Sequence, residues 1–71
     1  MIDLTETQER LYLIIKKYIE NYGYSPTVRE LCKLNGVNSP ATIHYGLKQL
    51  KKKGYIDYQY NKNRTIRIMK W

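Results

Sequence analysis

The feature that most constrains this chain is a short interruption inside a helical pattern. Val28, Leu31, Cys32 and Leu34 recur at helical spacing, Asn35-Gly36 breaks the pattern, and Ser39-Pro40 restarts it. Gly and Asn tolerate the left-handed backbone that ends a helix. Ser is a favoured N-cap, and Pro at the first helical position gives up only an N–H that has no partner there. Two short helices joined by a turn of about four residues match the helix-turn-helix pattern. Val37, in the turn, is placed to plug the space between them.

Upstream, Thr5 and Gln8 have the spacing of a capping box. Leu11, Ile14, Ile15, Tyr18, Ile19 and Tyr22 then fall on one stripe about 140° wide at about 100° per residue, a core face. Gly23 ends this helix. Tyr24-Ser25-Pro26 reads as extended, since a residue before proline avoids the α region. Thr27 and Glu30 repeat the capping-box spacing at the second helix. The pattern predicts helices over about 6–22, 28–34 and 40–53, the last stopped by Gly54.

Beyond Gly54 the period changes to two. Ile56, Tyr58 and Tyr60 share one face of a strand, Asn61-Lys62-Asn63-Arg64 is a polar turn, and Ile66 and Ile68 share a face of the return strand. This hairpin, over about 55–69, is not stable alone and must lean on the helices. A short third strand near Ser25 is expected to complete a small sheet. The fold class is mainly α with a small β wing: a three-helix winged helix-turn-helix, one domain over 1–71, with no repeat or linker.

Composition narrows the setting. A hydrophobic fraction of 42% suits a folded chain. No apolar run approaches the roughly 20 residues that span a bilayer. The first residues, Met1-Ile2-Asp3-Leu4-Thr5-Glu6, do not read as a signal peptide. The single cysteine, Cys32, cannot form an internal disulfide, so a reducing, cytoplasmic location is expected.

The net charge of +7 is one-sided. Arg10, Lys16, Lys17, Arg29 and Lys33 are balanced in residues 1–37 by Asp3, Glu6, Glu9, Glu20 and Glu30. Residues 38–71 carry Lys48, Lys51, Lys52, Lys53, Lys62, Arg64, Arg67 and Lys70 against Asp57 alone. An AT-rich genome would enrich lysine too, but would not leave the first half neutral. A basic face of this kind is what phosphate binding needs.

The third helix is suited to that partner. With Ile43, Leu47 and Leu50 on the core side, Ala41, Tyr45, Lys48 and Lys52 face outward. His44 and Lys51 lie on one flank, Thr42 and Gln49 on the other, and there is no acid in the helix. In a helix-turn-helix the second helix presents its first turns to base edges in the major groove. We therefore assign base reading to Ala41, Thr42, His44, Tyr45 and Lys48, the last also within reach of a phosphate, while Ser39 and the free N–H groups at the helix start can hold a phosphate. Ala41 is small enough to let the helix sink and to touch a thymine methyl. Phosphates are assigned to Thr27 and Arg29 at the second helix and to Lys51, Lys52 and Lys53 beyond the reading turns. Lys62 and Arg64 on the wing are assigned to phosphates or a minor groove. The plainer readings are a solvated lysine-rich helix end, a surface histidine and a polar turn.

These residues resemble the N-terminal DNA-binding domain of LexA-type repressors over nearly the whole chain. The matching residues are Leu4-Thr5 and Gln8, the run from Gly23 to Leu31 with Pro26-Thr27-Val28-Arg29-Glu30, Gly36, Ser39-Pro40, Leu47 and Leu50. Lys53-Gly54-Tyr55-Ile56 and Arg64-Thr65-Ile66-Arg67-Ile68 complete the set. The resemblance implies a bacterial or phage-encoded regulator that binds palindromic operators as a homodimer, represses transcription and lies at the nucleoid when bound. It puts base contacts at Ser39, Ala41, Thr42, His44 and Tyr45. Family members often carry acidic or amide side chains at some of these positions, so a different operator is expected here. Such repressors also have a second domain that self-cleaves through a Ser/Lys dyad. The chain is expected to be an excised domain or a stand-alone regulator, and not to cleave itself.

Three other functions compete. A winged helix can serve as a protein-docking module, and Leu13 is an exposed apolar candidate for such a contact. RNA binding fits the charge, although the narrow major groove of RNA does not admit a helix. Catalysis lacks its parts: one His and one Cys give no metal-site spacing, no glycine-rich phosphate loop is present, and Ser39 has no base to activate it. No cofactor or metal is expected.

Overall fold

In the computed structural model, residues 4–59 and 62–70 are described. The order is α1 (Glu6–Tyr22), α2 (Val28–Asn35), α3 (Pro40–Lys52), β1 (Ile56–Asp57) and β2 (Arg67–Ile68). Helix boundaries agree with the sequence pattern to within one residue.

Both capping boxes form. The Thr5 hydroxyl accepts from Gln8 N at 3.1 Å and Gln8 Oε1 accepts from Thr5 N at 3.2 Å. At α2 the Thr27 hydroxyl accepts from Glu30 N, while Glu30 Oε1 accepts from Thr27 N at 2.8 Å. Gly36 ends α2 with φ +69°, and its N–H reaches the Cys32 and Lys33 carbonyls. Asn35 stays helical, its side-chain amide donating to the Leu31 carbonyl at 2.7 Å. Ser39 occupies the N-cap position of α3, but its hydroxyl makes no cap hydrogen bond.

The core collects Leu11, Tyr12, Ile15, Leu31, Ile43, Leu47, Leu50, Tyr55, Ile56 and Ile66. Val37 packs against it from the turn. The buried face of α1 differs from the expected stripe. Tyr12 is fully buried and Tyr22 is 59% exposed. The cause is the wing. Tyr12 packs edge-on against Tyr55 at 5.3 Å and its hydroxyl donates to the Lys70 carbonyl. The strands thus draw Tyr12 into the core, while Ile19 still packs against it and Tyr22, at the end of α1, stays outside. Leu34, at the end of α2, is likewise exposed, and Leu13 is exposed as expected.

Gly46 sits buried in the middle of α3, where glycine costs up to about 1 kcal/mol of helix propensity. A Cβ there would stand 2.6 Å from Leu11 Cδ2. The glycine lets α3 lie close against α1.

The hairpin is shorter than its sequence pattern suggests. Ile56 pairs with Ile68 and Asp57 with Arg67, antiparallel. Farther out, the Thr65 hydroxyl accepts from Gln59 N at 2.9 Å, so a side chain takes the place of a ladder bond. The expected third strand does not form among the described residues. In its place the Ser25 hydroxyl accepts from Ile66 N at 3.2 Å. One hydroxyl satisfies the edge N–H that a strand would have paired. Tyr60 and Asn61, expected at the strand end and turn, lie outside the described residues.

Candidate nucleic-acid interface

The turn at Gly36 and the contacts of α2 with α3 leave one side of α3 open. Ile43, Gly46, Leu47 and Leu50 are buried, whereas Ala41, Thr42, Tyr45, Lys48, Lys51 and Lys52 are exposed. Tyr45 is 64% exposed, the most exposed of the large apolar side chains among the described residues. It borders a groove of about 280 Å³ that runs between the start of α1 and α3, with Thr42, Val37 and Arg10 also on its walls.

His44 does not share that surface. It is half-buried, its Nδ1 is buried, and it lines a cleft of about 220 Å³ between α2 and the wing. Thr27, Tyr58, Lys62 and Arg64 line the same cleft. Side chains adjacent in sequence therefore diverge, as a step of about 100° requires. Tyr45 faces the α1 side and His44 the wing side.

The lysines expected to act together are separated. Lys51 Nζ donates to the Tyr58 carbonyl at 3.0 Å and lies 3.5 Å from Asp57. Lys53 Nζ turns back to α1 and donates to Gln8 Oε1 at 2.9 Å. Lys52 is exposed at the end of α3. Asp57 also draws Arg67, at 3.9 Å, so the one acid of the second half neutralises charge at the base of the wing.

At the start of α2, Thr27 is half-buried and committed to its cap, and Arg29 is exposed. Arg64 is held here too. Its Nη1 donates to the Ser25 carbonyl and its Nη2 to Glu30 Oε2, each at 3.0 Å. The guanidinium lies 4.7 Å from the centre of the Tyr24 ring. The Thr27 N–H, with Arg64 and the Tyr18 hydroxyl adding to it, holds the Glu30 carboxyl down at about 2. Hydrogen bonds to Tyr18 and Glu30 push Arg64 above its already high value. Lys62, at the wing turn, is exposed.

Sequence reasoning missed the contact of Arg64 with Glu30 and the close approach at Gly46. The capping-box spacing flags one oxygen of Glu30, and nothing local flags the other. Gly46 carried a signal, because a glycine inside a strong helical pattern marks either a weakness or a close contact. Among the described residues no three His, Cys, Asp or Glu side chains converge as metal ligands would, and no helix is long and apolar enough to cross a membrane.

Comparison with known proteins agrees with this geometry. The family model described as LexA DNA binding domain matches residues 1–65. The chain is 50% identical over 70 residues to a LexA repressor of Desulfatibacillum aliphaticivorans, covering 99% of this chain and 34% of that protein. It is 46% identical over 66 residues to the LexA repressor of Caldicellulosiruptor saccharolyticus, covering 93% of this chain and 33% of the relative. The chain thus spans about a third of the length of these relatives. Three helices, a two-stranded sheet and a family match over nearly all its residues place the chain in the LexA DNA-binding domain family.

Proposed function

We propose that this chain binds double-stranded DNA sequence-specifically and serves as the DNA-reading part of a transcriptional repressor. The observation that carries the reading is the exposed, acid-free side of α3, held out by the tight turn at Gly36. Such a helix fits a major groove and meets no repulsion from phosphate. The relatives named as repressors support the regulatory sense.

In this reading Ser39, Ala41, Thr42, Tyr45 and Lys48 meet base edges, with Ser39 and Ala41 at the deepest point. His44 reads from the wing side of the groove. Arg29, Lys52 and Lys62 are the principal phosphate donors. Thr27 adds to them through the α2 terminus, while Lys51 and Lys53 contribute only by leaving the partners they have. Two copies on a palindromic operator supply the affinity that one short helix lacks. The chain acts by binding alone, on bacterial or phage-borne DNA in the cytoplasm.

The test is selection from random duplex DNA by the purified chain, with affinity then followed against salt. An enriched motif that is lost or altered by Tyr45→Ala, and weakened by Lys48→Ala, supports the reading. A steep salt dependence without a motif would reduce the chain to a general phosphate binder. No binding at low salt would overturn the DNA reading.

A further inference from the structure

We propose that Arg64 is a positioning residue, and not a phosphate ligand: its side chain latches the wing to the start of α2 and so sets where the wing meets DNA. The inference rests on the DNA-binding reading above. Arg64 is, with Lys62, one of the two residues of the wing turn that pure charge counting assigns to DNA. Its guanidinium is already held by partners on another part of the chain, among them the Ser25 carbonyl, the Glu30 carboxylate and the face of Tyr24. The contacts span 39 and 34 positions of sequence.

The backbone points the same way. Among the described residues Arg64 is the one non-glycine residue with positive φ, at 57°. Asn63, a type that tolerates this region better, sits beside it without adopting it. A long β-carbon-bearing side chain keeps such a conformation only when its surroundings fix it. Here the fixing contacts are the side chain's own.

The latch also shares parts with the reading unit. Glu30 uses one carboxylate oxygen to cap α2 and the other to hold Arg64. Ser25 gives its carbonyl to Arg64 and its hydroxyl to the Ile66 N–H. The wing is therefore pinned to the helix that packs against α3, and Lys62 is carried to a fixed place relative to the reading face. A planar fork suits this work. Arginine donates to the carbonyl and to the carboxylate from two separate nitrogens of one flat group that also lies over a ring, whereas the three donors of lysine radiate from a single nitrogen and cannot reproduce that spacing.

The experiment uses the purified chain and its selected duplex, with Arg64→Lys, Arg64→Ala, Glu30→Gln and Lys62→Ala. Circular dichroism checks that each variant is folded, and hydrogen exchange of the Ile66 amide reports the wing. Both Arg64 variants are expected to weaken specific binding by roughly tenfold. Their salt slope stays unchanged, and Ile66 exchanges faster. Glu30→Gln, which keeps an acceptor for the cap, is expected to be non-additive with Arg64→Ala. Lys62→Ala is expected to lower the slope by about one and to leave Ile66 exchange alone. Retained affinity in Arg64→Lys, with a slope lowered by about one in Arg64→Ala, would make Arg64 a phosphate ligand and overturn the proposal. Unchanged Ile66 exchange in both Arg64 variants would overturn it as well. Failure of the unaltered chain to bind duplex at low salt would instead overturn the DNA reading, and the latch's part in it.

Discussion

The hydroxyl of Ser25 and the amide of Ile66, 41 positions apart, meet at 3.2 Å where a third strand would have been. Ser25 is 6% exposed, so water cannot replace it freely. Ser25→Ala is expected to leave a buried N–H unpaired and to cost about 1–3 kcal/mol. Urea unfolding measures the loss. A variant as stable as the parent would show that Ile66 finds another acceptor.

Tyr12 separates ring from hydroxyl. Tyr12→Phe removes only the donor to the Lys70 carbonyl and is expected to cost about 0.5–1.5 kcal/mol, since that exposed residue can turn to water. Tyr12→Ala empties the space beside Tyr55 and is expected to cost about 3–5 kcal/mol. Thermal melts of the two variants give the comparison. Equal losses would place the whole contribution in the hydroxyl.

Glu30 confers an acid sensitivity with a defined direction. Its carboxyl is held at about 2, against an ordinary value of 4.5, by the Thr27 N–H first and by Arg64 and Tyr18 after it. A depressed carboxyl contributes stability that is fully present above 4.5 and is lost as the pH falls through about 2. The melting temperature is expected to fall across that window, and Glu30→Gln to flatten the fall. An unchanged pH profile in Glu30→Gln would assign the acid sensitivity to other carboxylates.

Two of the three consecutive lysines, Lys52 and Lys53, are expected to behave differently. Lys52→Ala should lower the salt slope of DNA binding by about one. Lys53→Ala should leave the slope unchanged and cost up to about 1 kcal/mol of stability, because its ammonium holds Gln8. Equal slope changes in both variants would mean that Lys53 leaves α1 when DNA binds.

The outward face of α3 was legible in the sequence because helical period alone sorts Ile43, Leu47 and Leu50 from Ala41, Tyr45 and Lys48. The caps were legible for the same reason: Thr5 with Gln8, and Thr27 with Glu30, act over three residues. The buried face of α1 was less so. The period gave a stripe of the right kind, but the wing decided that Tyr12 goes in and Tyr22 stays out.

The positions of the charges were the least legible part of the site. Counting placed Lys51, Lys53 and Arg64 on a DNA surface, and the fold turns their heads towards Tyr58, Gln8 and Glu30. Long cationic side chains reach several ångströms from their Cα, so where the head lies depends on what the rest of the chain brings within reach.

By itself the sequence determined the helices, their caps, the tight turn at Gly36 and the acid-free face, because each depends on residues within one or two helical turns. Only the tertiary structure decided the short ladder, the Ser25 hydroxyl in place of a strand, and the latch of Arg64 on Glu30. Those contacts join residues 34 and 41 positions apart. No local propensity encodes them, because they exist only after the helices have packed and brought the wing against the start of α2.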